Sequence, residues 1–222
     1  MATPVTDEKI RVCIAFLEPE QTDVKITASQ LRGFVGYLFL DDGEFHHHMT
    51  DAYHYPLIQY KTVKGQPIIL GIGPYADKLL NKISGLDSVV TPGKVTKIKT
   101  IDLRTFSHAL DTELHTYEFI TPWIALNRRN YEAYQNANAE NRKRLLEKIL
   151  IGNVLSSLKG LGIFLKRRVE VYLSEFSTVP VTAHGNTFQA INAKFVLNLG
   201  LPEYMGLGKS VSKGFGTIKV IK

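Results

Sequence analysis

The order of strand-like and helix-like segments is the feature that most constrains the fold of this chain. Alternating apolar residues predict strands, and apolar residues three and four positions apart predict helices. The predicted elements of the first half are a strand at 10–17, a helix capped by Ser29, strands at 55–62 and 66–70, a helix at 74–82 and a strand at 94–105. This β-α-β-β-α-β order is that of the ferredoxin-like unit, an antiparallel sheet with two helices on one face.

The second half of the chain nearly repeats this order but lacks its second helix. The predicted elements are a strand at 114–121, a helix at 139–159, strands at 163–176 and 187–199, and a closing strand at 214–221. A glycine-containing connection at 202–213 replaces the missing helix, and such connections often carry function. We therefore predict an α+β protein with two tandem ferredoxin-like (RRM-like) domains, at 1–108 and 109–222.

Composition restricts the class of protein further. With 222 residues, of which 44% are hydrophobic and 22% charged, the chain is long enough for two small domains and too apolar for disorder. Its one cysteine, Cys13, lies in an apolar run, so we expect a buried thiol and no intrachain disulfide. No apolar run reaches the ~18 residues of a membrane span and no signal peptide is recognisable. We expect a cytoplasmic protein with no membrane partner.

The charge is unevenly distributed between the halves. Residues 1–110 contain 12 basic and 12 acidic side chains, whereas residues 111–222 contain 15 basic and 9 acidic ones. The second half therefore carries the whole net charge of +6. Such an asymmetry is what a surface that binds a polyanion would produce.

Three consecutive histidines follow a predicted turn in the first half. In an extended segment His46 and His48 would face one side and His47 the other. Metal-free cleavage of RNA needs a base for the 2′-hydroxyl and an acid for the leaving 5′-oxygen, and imidazole serves both roles near neutral pH. Two alternatives remain at this point: a metal site, which would need further ligands from elsewhere, and a turn whose histidines face water.

Glycines and lysines cluster in the predicted connection before the last strand and at the start of that strand. The residues concerned are Gly206, Gly208, Lys209, Lys213, Gly214 and Gly216. Glycines allow close approach to backbone N–H groups and lysines supply positive charge, a combination that suits a phosphodiester backbone. The local Gly-Lys-Ser is no NTPase loop, because Pro202 opens that window and a strand follows it.

This C-terminal loop closely resembles the glycine-rich loop of the CRISPR-associated Cas-six endoribonucleases of the RAMP superfamily. Other segments resemble the subtype-b branch of that family in the same order along the chain. They are residues 30–36, 45–48, 55–61, 117–127 and 149–153. The resemblance covers nearly the whole chain and implies two ferredoxin-like domains and cleavage of CRISPR precursor RNA within its repeat.

The resemblance also implies roles for individual residues. His46, His48 and Tyr55 match catalytic positions, with attack by the ribose 2′-hydroxyl leaving 2′,3′-cyclic phosphate and 5′-hydroxyl ends without metal or cofactor. Residues expected to bind RNA are Arg32, Lys61, Gly206, Gly208, Lys209, Lys213, Gly214 and Gly216. The expected partner is repeat RNA. The resemblance also implies two further kinds of partner, a second copy of the chain and the subunits of a CRISPR effector complex. Two alternative functions remain: a non-catalytic RNA-binding protein of the same fold, and a metal-dependent hydrolase using the histidines.

Overall fold

The computed structural model describes residues 4–21, 23–38, 54–183 and 185–221. The strands are β1 (Pro4–Pro19), β2 (Ile58–Val63), β3 (Gln66–Ile72), β4 (Ser88–Thr91), β5 (Lys94–Asp111), β6 (His115–Phe119), β7 (Val171–Ala183), β8 (Asn186–Leu197) and β9 (Ile218–Val220). The helices are α1 (Ala28–Leu38), α2 (Pro74–Ile83), α3 (Arg128–Asn136) and α4 (Ala139–Gly160), with one 3-10 turn at Val211–Lys213.

The chain forms two compact units. The first unit comprises residues 9–108 together with Val211–Gly214, and the second comprises 1–8, 109–210 and 215–222. The prediction of separate domains at 1–108 and 109–222 stays a prediction.

The first unit contains the predicted ferredoxin-like arrangement. Its sheet has the strand order β2-β3-β1-β5-β4, and β2 and β3 form an antiparallel hairpin around Lys64 and Gly65. Apolar side chains of both helices pack on one face of this sheet, with Leu31 and Leu79 fully buried among strand residues such as Ile58 and Tyr60. Burial of this amphipathic face, rather than helix propensity, stabilises helices of this length.

The second unit repeats the strand order. Its sheet runs β7-β8-β6-β9, so the first strand of the unit again lies between the third and the last. Tyr117 of β6 stacks on Phe195 of β8, and Phe119 lies tilted against the same ring. Trp123 stacks on Phe119 at 5.1 Å between ring centroids. The predicted apolar stripe of α4 is buried at Leu146, Leu150, Val154 and Leu158. The prediction of a two-sheet α+β fold of tandem ferredoxin-like units is confirmed.

Several local predictions were wrong for identifiable reasons. The helix α1 begins before Ser29, because Thr27 and Gln30 form reciprocal side-chain to backbone bonds that cap it. The strand predicted from 163 begins only at Val171, and the closing strand is shortened to Ile218–Val220. Gly214 and Gly216 have φ of +90° and +65°, which a continuous strand does not permit.

Two elements were missed. The short edge strand β4 pairs with the start of β5, and α3 is mostly polar, so neither has a strong apolar period. The start of α3 is fixed instead by Asn127 and Asn130, each of which accepts a backbone N–H of the other. Among the described residues no helix is both long enough and apolar enough to cross a membrane.

Candidate functional site

The histidine segment that the sequence singles out lies outside the described residues. His46, His47 and His48 fall within 39–53, between the end of α1 and the resumption of described chain at His54. His54 is exposed and the next residue, Tyr55, is buried. The roles of His46 and His48 as acid and base stay predictions.

Tyr55 belongs to a buried set of hydrogen-bonded side chains in the first unit, which we name the polar chain (Tyr55, Gln59 and Lys61). Gln59 Nε2 donates to the Tyr55 hydroxyl oxygen at 2.7 Å and to the Pro56 carbonyl at 2.9 Å. Lys61 Nζ donates to Gln59 Oε1 at 2.9 Å. Gln59 and Lys61 are two apart on β2, so their side chains share one strand face, whereas Ile58 and Tyr60 point into the apolar core.

The position of Lys61 is unusual for its residue type. Its side chain is completely buried, as is that of Gln59. Burial disfavours the ammonium and lowers the pKa of Lys61 to about 7. The Lys61 nitrogen is hydrogen-bonded inside the unit. The predicted contact of Lys61 with RNA stays a prediction.

The 3-10 turn at Val211–Lys213 places two predicted RNA-binding cations near each other in the first unit. Gly214 follows the turn, and an added Cβ there would lie 2.8 Å from the Ala28 Cβ of α1 and 3.3 Å from the Tyr60 carbonyl oxygen of β2. Only glycine permits this close approach at a φ of +90°. The pKa of Lys213 is lowered by partial burial and then by the positive charge of Arg32 on α1.

A pair of like charges held together in this way is suited to an anion. A phosphate beside Arg32 and Lys213 would be attracted by both positive charges, and hydrogen bonds between ionised groups are strong. The structure thus brings together two residues, 181 positions apart, that the sequence assigned to RNA separately.

The remaining part of the glycine-rich loop packs within the second unit. A Cβ on Gly208 would lie 2.5 Å from the Trp123 indole nitrogen, and one on Gly216 would collide with the Leu207 carbonyl oxygen. Lys209 pairs through its backbone with Ile124, and its Nζ donates to a main-chain carbonyl, that of Leu126, at 3.1 Å. Glycine is therefore required at 208 and 216 by packing inside the unit, independently of any RNA.

The basic side chains at the start of α4 are engaged in contacts within the second unit. Arg142 donates to two carbonyls in the last turn of α3, those of Tyr134 and Gln135, and Arg144 pairs with Glu140 one helical turn before it. The Lys143 nitrogen lies 3.7 Å from the Tyr172 ring centroid, and Glu147, one helical turn after Lys143, accepts the Leu173 backbone N–H. These contacts give the cations structural roles.

Sequence reasoning missed two residues that hold the site. Gln59 was part of a resembling segment but was given no role, because a glutamine flanked by Ile58 and Tyr60 carries no periodic signal of its own. Asn153 accepts the Trp123 indole N–H at 3.0 Å and so fixes the ring on which Gly208 packs. Both are polar residues in otherwise apolar runs of the sequence, and this is the signal that points to them.

Comparison with protein families matches both halves of the chain. The sequence model of the Cas6b N-terminal domain matches residues 9–109, and that of the Cas6b C-terminal domain matches residues 109–221. Among curated proteins, an uncharacterised protein of Methanocaldococcus jannaschii, MJ0978, is 42% identical over 102 residues, which are 46% of this chain and 69% of that protein.

Solved structures agree with the family match. A crystal structure of Cas6b has a TM-score of 0.84 and 28% identity, covering 96% of this chain and all of the other. A crystal structure described as the CRISPR RNA processing endoribonuclease Cas6b has a TM-score of 0.75 and 26% identity over the same shares. A Cas6 product complex, at 14% identity and a TM-score of 0.59, shares the fold.

Proposed function

We propose that this chain, which belongs to the Cas6b family, is a metal-independent endoribonuclease that cuts CRISPR precursor RNA within the repeat. The observation that carries the proposal is the likeness, over 96% of this chain, to a solved protein named a CRISPR RNA processing endoribonuclease. The buried Tyr55 and the neighbouring cations Arg32 and Lys213 support it independently, since they supply a polar group and an anion site in one unit.

The reaction we propose is transesterification. One of His46 and His48 takes the proton of the ribose 2′-hydroxyl, whose oxygen forms a bond to the adjacent phosphorus. The P–O bond to the 5′-oxygen breaks, and the other histidine protonates that oxygen. The products are a 2′,3′-cyclic phosphate and a 5′-hydroxyl, so no water is consumed in this step.

The phosphorus gains negative charge in the transition state, and preorganised donors stabilise it. Tyr55 supplies a hydroxyl seven residues after His48. Arg32 and Lys213 supply positive charge, and the fold holds them together before RNA arrives. Lys209 and the glycines of the C-terminal loop are proposed to hold the RNA backbone along its path.

The decisive experiment uses the repeat RNA encoded beside this protein's own gene. The wild-type chain is incubated with that RNA in EDTA and with a matched RNA whose nucleotide 5′ of the scissile phosphate is 2′-deoxy. We expect cleavage of the first RNA at one position, ends of the two types named above, and no cleavage of the second RNA, because its nucleophile is missing.

Three other outcomes would contradict the proposed function or favour another one. Cleavage of the 2′-deoxy RNA indicates water as the nucleophile and contradicts the proposed chemistry. Loss of activity in EDTA, restored by a divalent metal, favours the metal-dependent hydrolase. Tight binding of the repeat without cleavage under any of these conditions favours the non-catalytic RNA-binding protein.

A further inference from the structure

A groove in the second unit lies between α4 and the start of the edge strand β7. Its volume is about 750 Å³, which falls in the ~300–1,000 Å³ range of ligand-binding clefts. Lys148 lines it from α4, Arg168 from the segment before β7, and Tyr172 from β7 itself. None of these side chains has a role in the proposed cleavage reaction.

The walls of the groove are aliphatic. They are formed by Leu114, Ile151, Val169, Val171 and Val196. Leu114 is among the most exposed large apolar side chains of the described chain, so water meets an apolar surface here. A ligand with flat apolar faces would remove this surface from water.

An aromatic ring is accessible at the groove. Tyr172 lines the groove and is 58% exposed. The Lys143 nitrogen lies 3.7 Å from the ring centroid, so a cation covers one face of the ring. Because most of the residue is nevertheless exposed, the ring has surface left for a second planar group. Nucleobases stack on such rings, and each stacked base contributes substantially to affinity.

The cations of the groove are available to an anion. Lys148 is exposed and forms no ion pair with any other described residue. The Arg168 side chain is 87% exposed, and its one ion pair among the described residues is with Glu170 at 3.9 Å. Pairs between exposed groups contribute little, so Arg168 can exchange this partner for a phosphate. The neighbouring Lys166 and Arg167 are exposed as well.

A backbone contact of β7 favours RNA over a peptide as the occupant. Peptides commonly bind an edge strand by adding a strand to it through backbone hydrogen bonds. The Leu173 N–H, next to Tyr172, already donates to Glu147 of α4, so this point of the edge is occupied. What the groove offers is an aromatic ring, aliphatic walls and cations, which is the combination that binds single-stranded nucleic acid.

The groove lacks side chains suited to selecting a sequence. Bases are distinguished by hydrogen bonds to their edges. Among the described residues no amide side chain lines the groove, and two of its charged side chains are engaged within the unit: Arg144 with Glu140, and Glu147 with Leu173. Stacking and phosphate contacts remain, and both tolerate any sequence.

We propose that this groove binds single-stranded RNA that continues beyond the repeat in the precursor, with a base stacked on Tyr172 and phosphates on Lys148 and Arg168. The inference rests on the proposed function, since it takes the precursor as the ligand. Binding without sequence preference suits this part of the precursor, because the proposed cleavage is directed by the repeat. No bond forms or breaks at the groove.

The test compares RNAs that share one repeat and cannot be cut, because the nucleotide 5′ of the scissile phosphate is 2′-deoxy. One RNA ends with the repeat, and two others continue into oligouridine at the 5′ or at the 3′ end. We expect oligouridine at one of these ends to lower the Kd of the wild-type chain on the order of tenfold, as one stacked base does.

Two variants of the groove should remove this gain. Tyr172→Ala should lose it while the Kd of the repeat alone stays within about twofold, and Tyr172→Phe, which keeps the ring, should retain it. Lys148→Ala with Arg168→Ala should lower the slope of log affinity against log salt by about 1.4 for the extended RNA alone. Lys159→Ala, in an exposed lysine of the same helix outside the groove, is the control and should leave the slope unchanged.

Two results overturn the inference. One is that oligouridine at neither end increases affinity, which would leave the groove to a protein partner. The other is that Tyr172→Ala weakens the repeat alone and the extended repeat by the same factor, as a loss of stability would. The proposed function is tested separately: a wild-type chain that fails to cut the all-ribose repeat contradicts it, whereas the gain from oligouridine is measured on RNA that cannot be cut.

Discussion

The two units share a strand order but differ in what connects their third and fourth ferredoxin-like strands. In the first unit the helix α2 fills this connection and buries Leu79 and Ile83 in the core. In the second unit the connection between β8 and β9 is the glycine-rich loop, which packs on Trp123 through Gly208. Where the first unit has a helix that covers the sheet, the second unit has a loop whose backbone approaches other groups closely. The turn Val211–Lys213 of this loop belongs to the first unit.

The difference extends to the polar groups. Residues 1–110, whose charges balance, contain the polar chain, which is buried. Residues 111–222 carry the basic excess, but several of their cations make contacts within the second unit. We therefore expect substitutions in the first half to change chemistry and those in the second to change stability or RNA affinity. The predictions below test this division.

The largest effect is expected at the histidines. Replacing His46 and His48 by alanine should lower cleavage by at least ~10⁴-fold, because each general acid or base contributes ~10²–10⁴-fold. RNA affinity, measured by filter binding with a non-cleavable 2′-deoxy repeat, should stay within a few fold. His54→Ala, in the exposed residue beside Tyr55, is the matched control and should cleave like the wild type. A double variant that cuts at the wild-type rate contradicts the acid–base assignment.

A backbone position of the second half provides the next test. Gly216→Ala introduces a Cβ against the Leu207 carbonyl oxygen at a φ of +65°, so we expect a loss of about 3 kcal/mol in unfolding free energy. Trp123, the one tryptophan of the chain, lies in this unit, so its fluorescence reports the unfolding.

Gly33→Ala on α1 is the control for that substitution. Nothing lies within 4 Å of a Cβ there, and a helical alanine should stabilise by ~0.5–1 kcal/mol. The labelling rate of Cys13, the single and buried thiol of the first unit, should respond to Gly33→Ala more than to Gly216→Ala. The reverse order would contradict the separation of the two halves.

Features that depend on a local apolar pattern could be predicted from the sequence, whereas features that depend on single bonds or on tertiary packing could not. Amphipathic segments such as α4 and the β2–β3 hairpin have strong local periods, so their existence was predictable. The start of α1 depends on reciprocal bonds between Thr27 and Gln30, and the start of β9 depends on the positive φ of Gly216; neither feature changes the apolar pattern. The approach of Arg32 to Lys213 depends on tertiary packing around Gly214, which no local pattern contains.

The buried lysine predicts a pH dependence of stability in the first half. Burial lowers the pKa of Lys61 to about 7, against ~10.4 in an unfolded chain, so between these values the unfolded state binds more protons. The free energy of unfolding therefore rises with pH in this window, by about 2 kcal/mol from pH 7 to 8.5. In Lys61→Met this contribution is absent.

The measurement compares Cys13 labelling in wild type and Lys61→Met at each pH, so that the titration of the thiol itself cancels. Burial also raises the pKa of Cys13, to about 11, which lowers stability at still higher pH and sets the upper limit of the useful range. Parallel curves for the two chains would mean that Lys61 titrates in the folded protein as it does in water.

The smallest effect is expected in the salt dependence of RNA affinity, at the two lysines of the C-terminal loop. Lys213 lies with the first unit and Lys209 with the second. Each lysine on a phosphate adds ~0.7 to the slope of log affinity against log salt for single-stranded RNA, so either alanine variant should lower the slope by that amount and the double variant by about 1.4.

The bond from Lys209 to Leu126 uses one of three ammonium hydrogens and leaves the others for phosphate. Lys94→Ala, which removes an exposed charge from the start of β5, should leave the slope unchanged. A change in Lys213→Ala alone would confine the RNA to the first unit. An unchanged slope in the double variant would leave the loop a packing role and move the RNA contact to Lys166, Arg167 and Arg168, since the cations at the start of α4 already have partners within their unit.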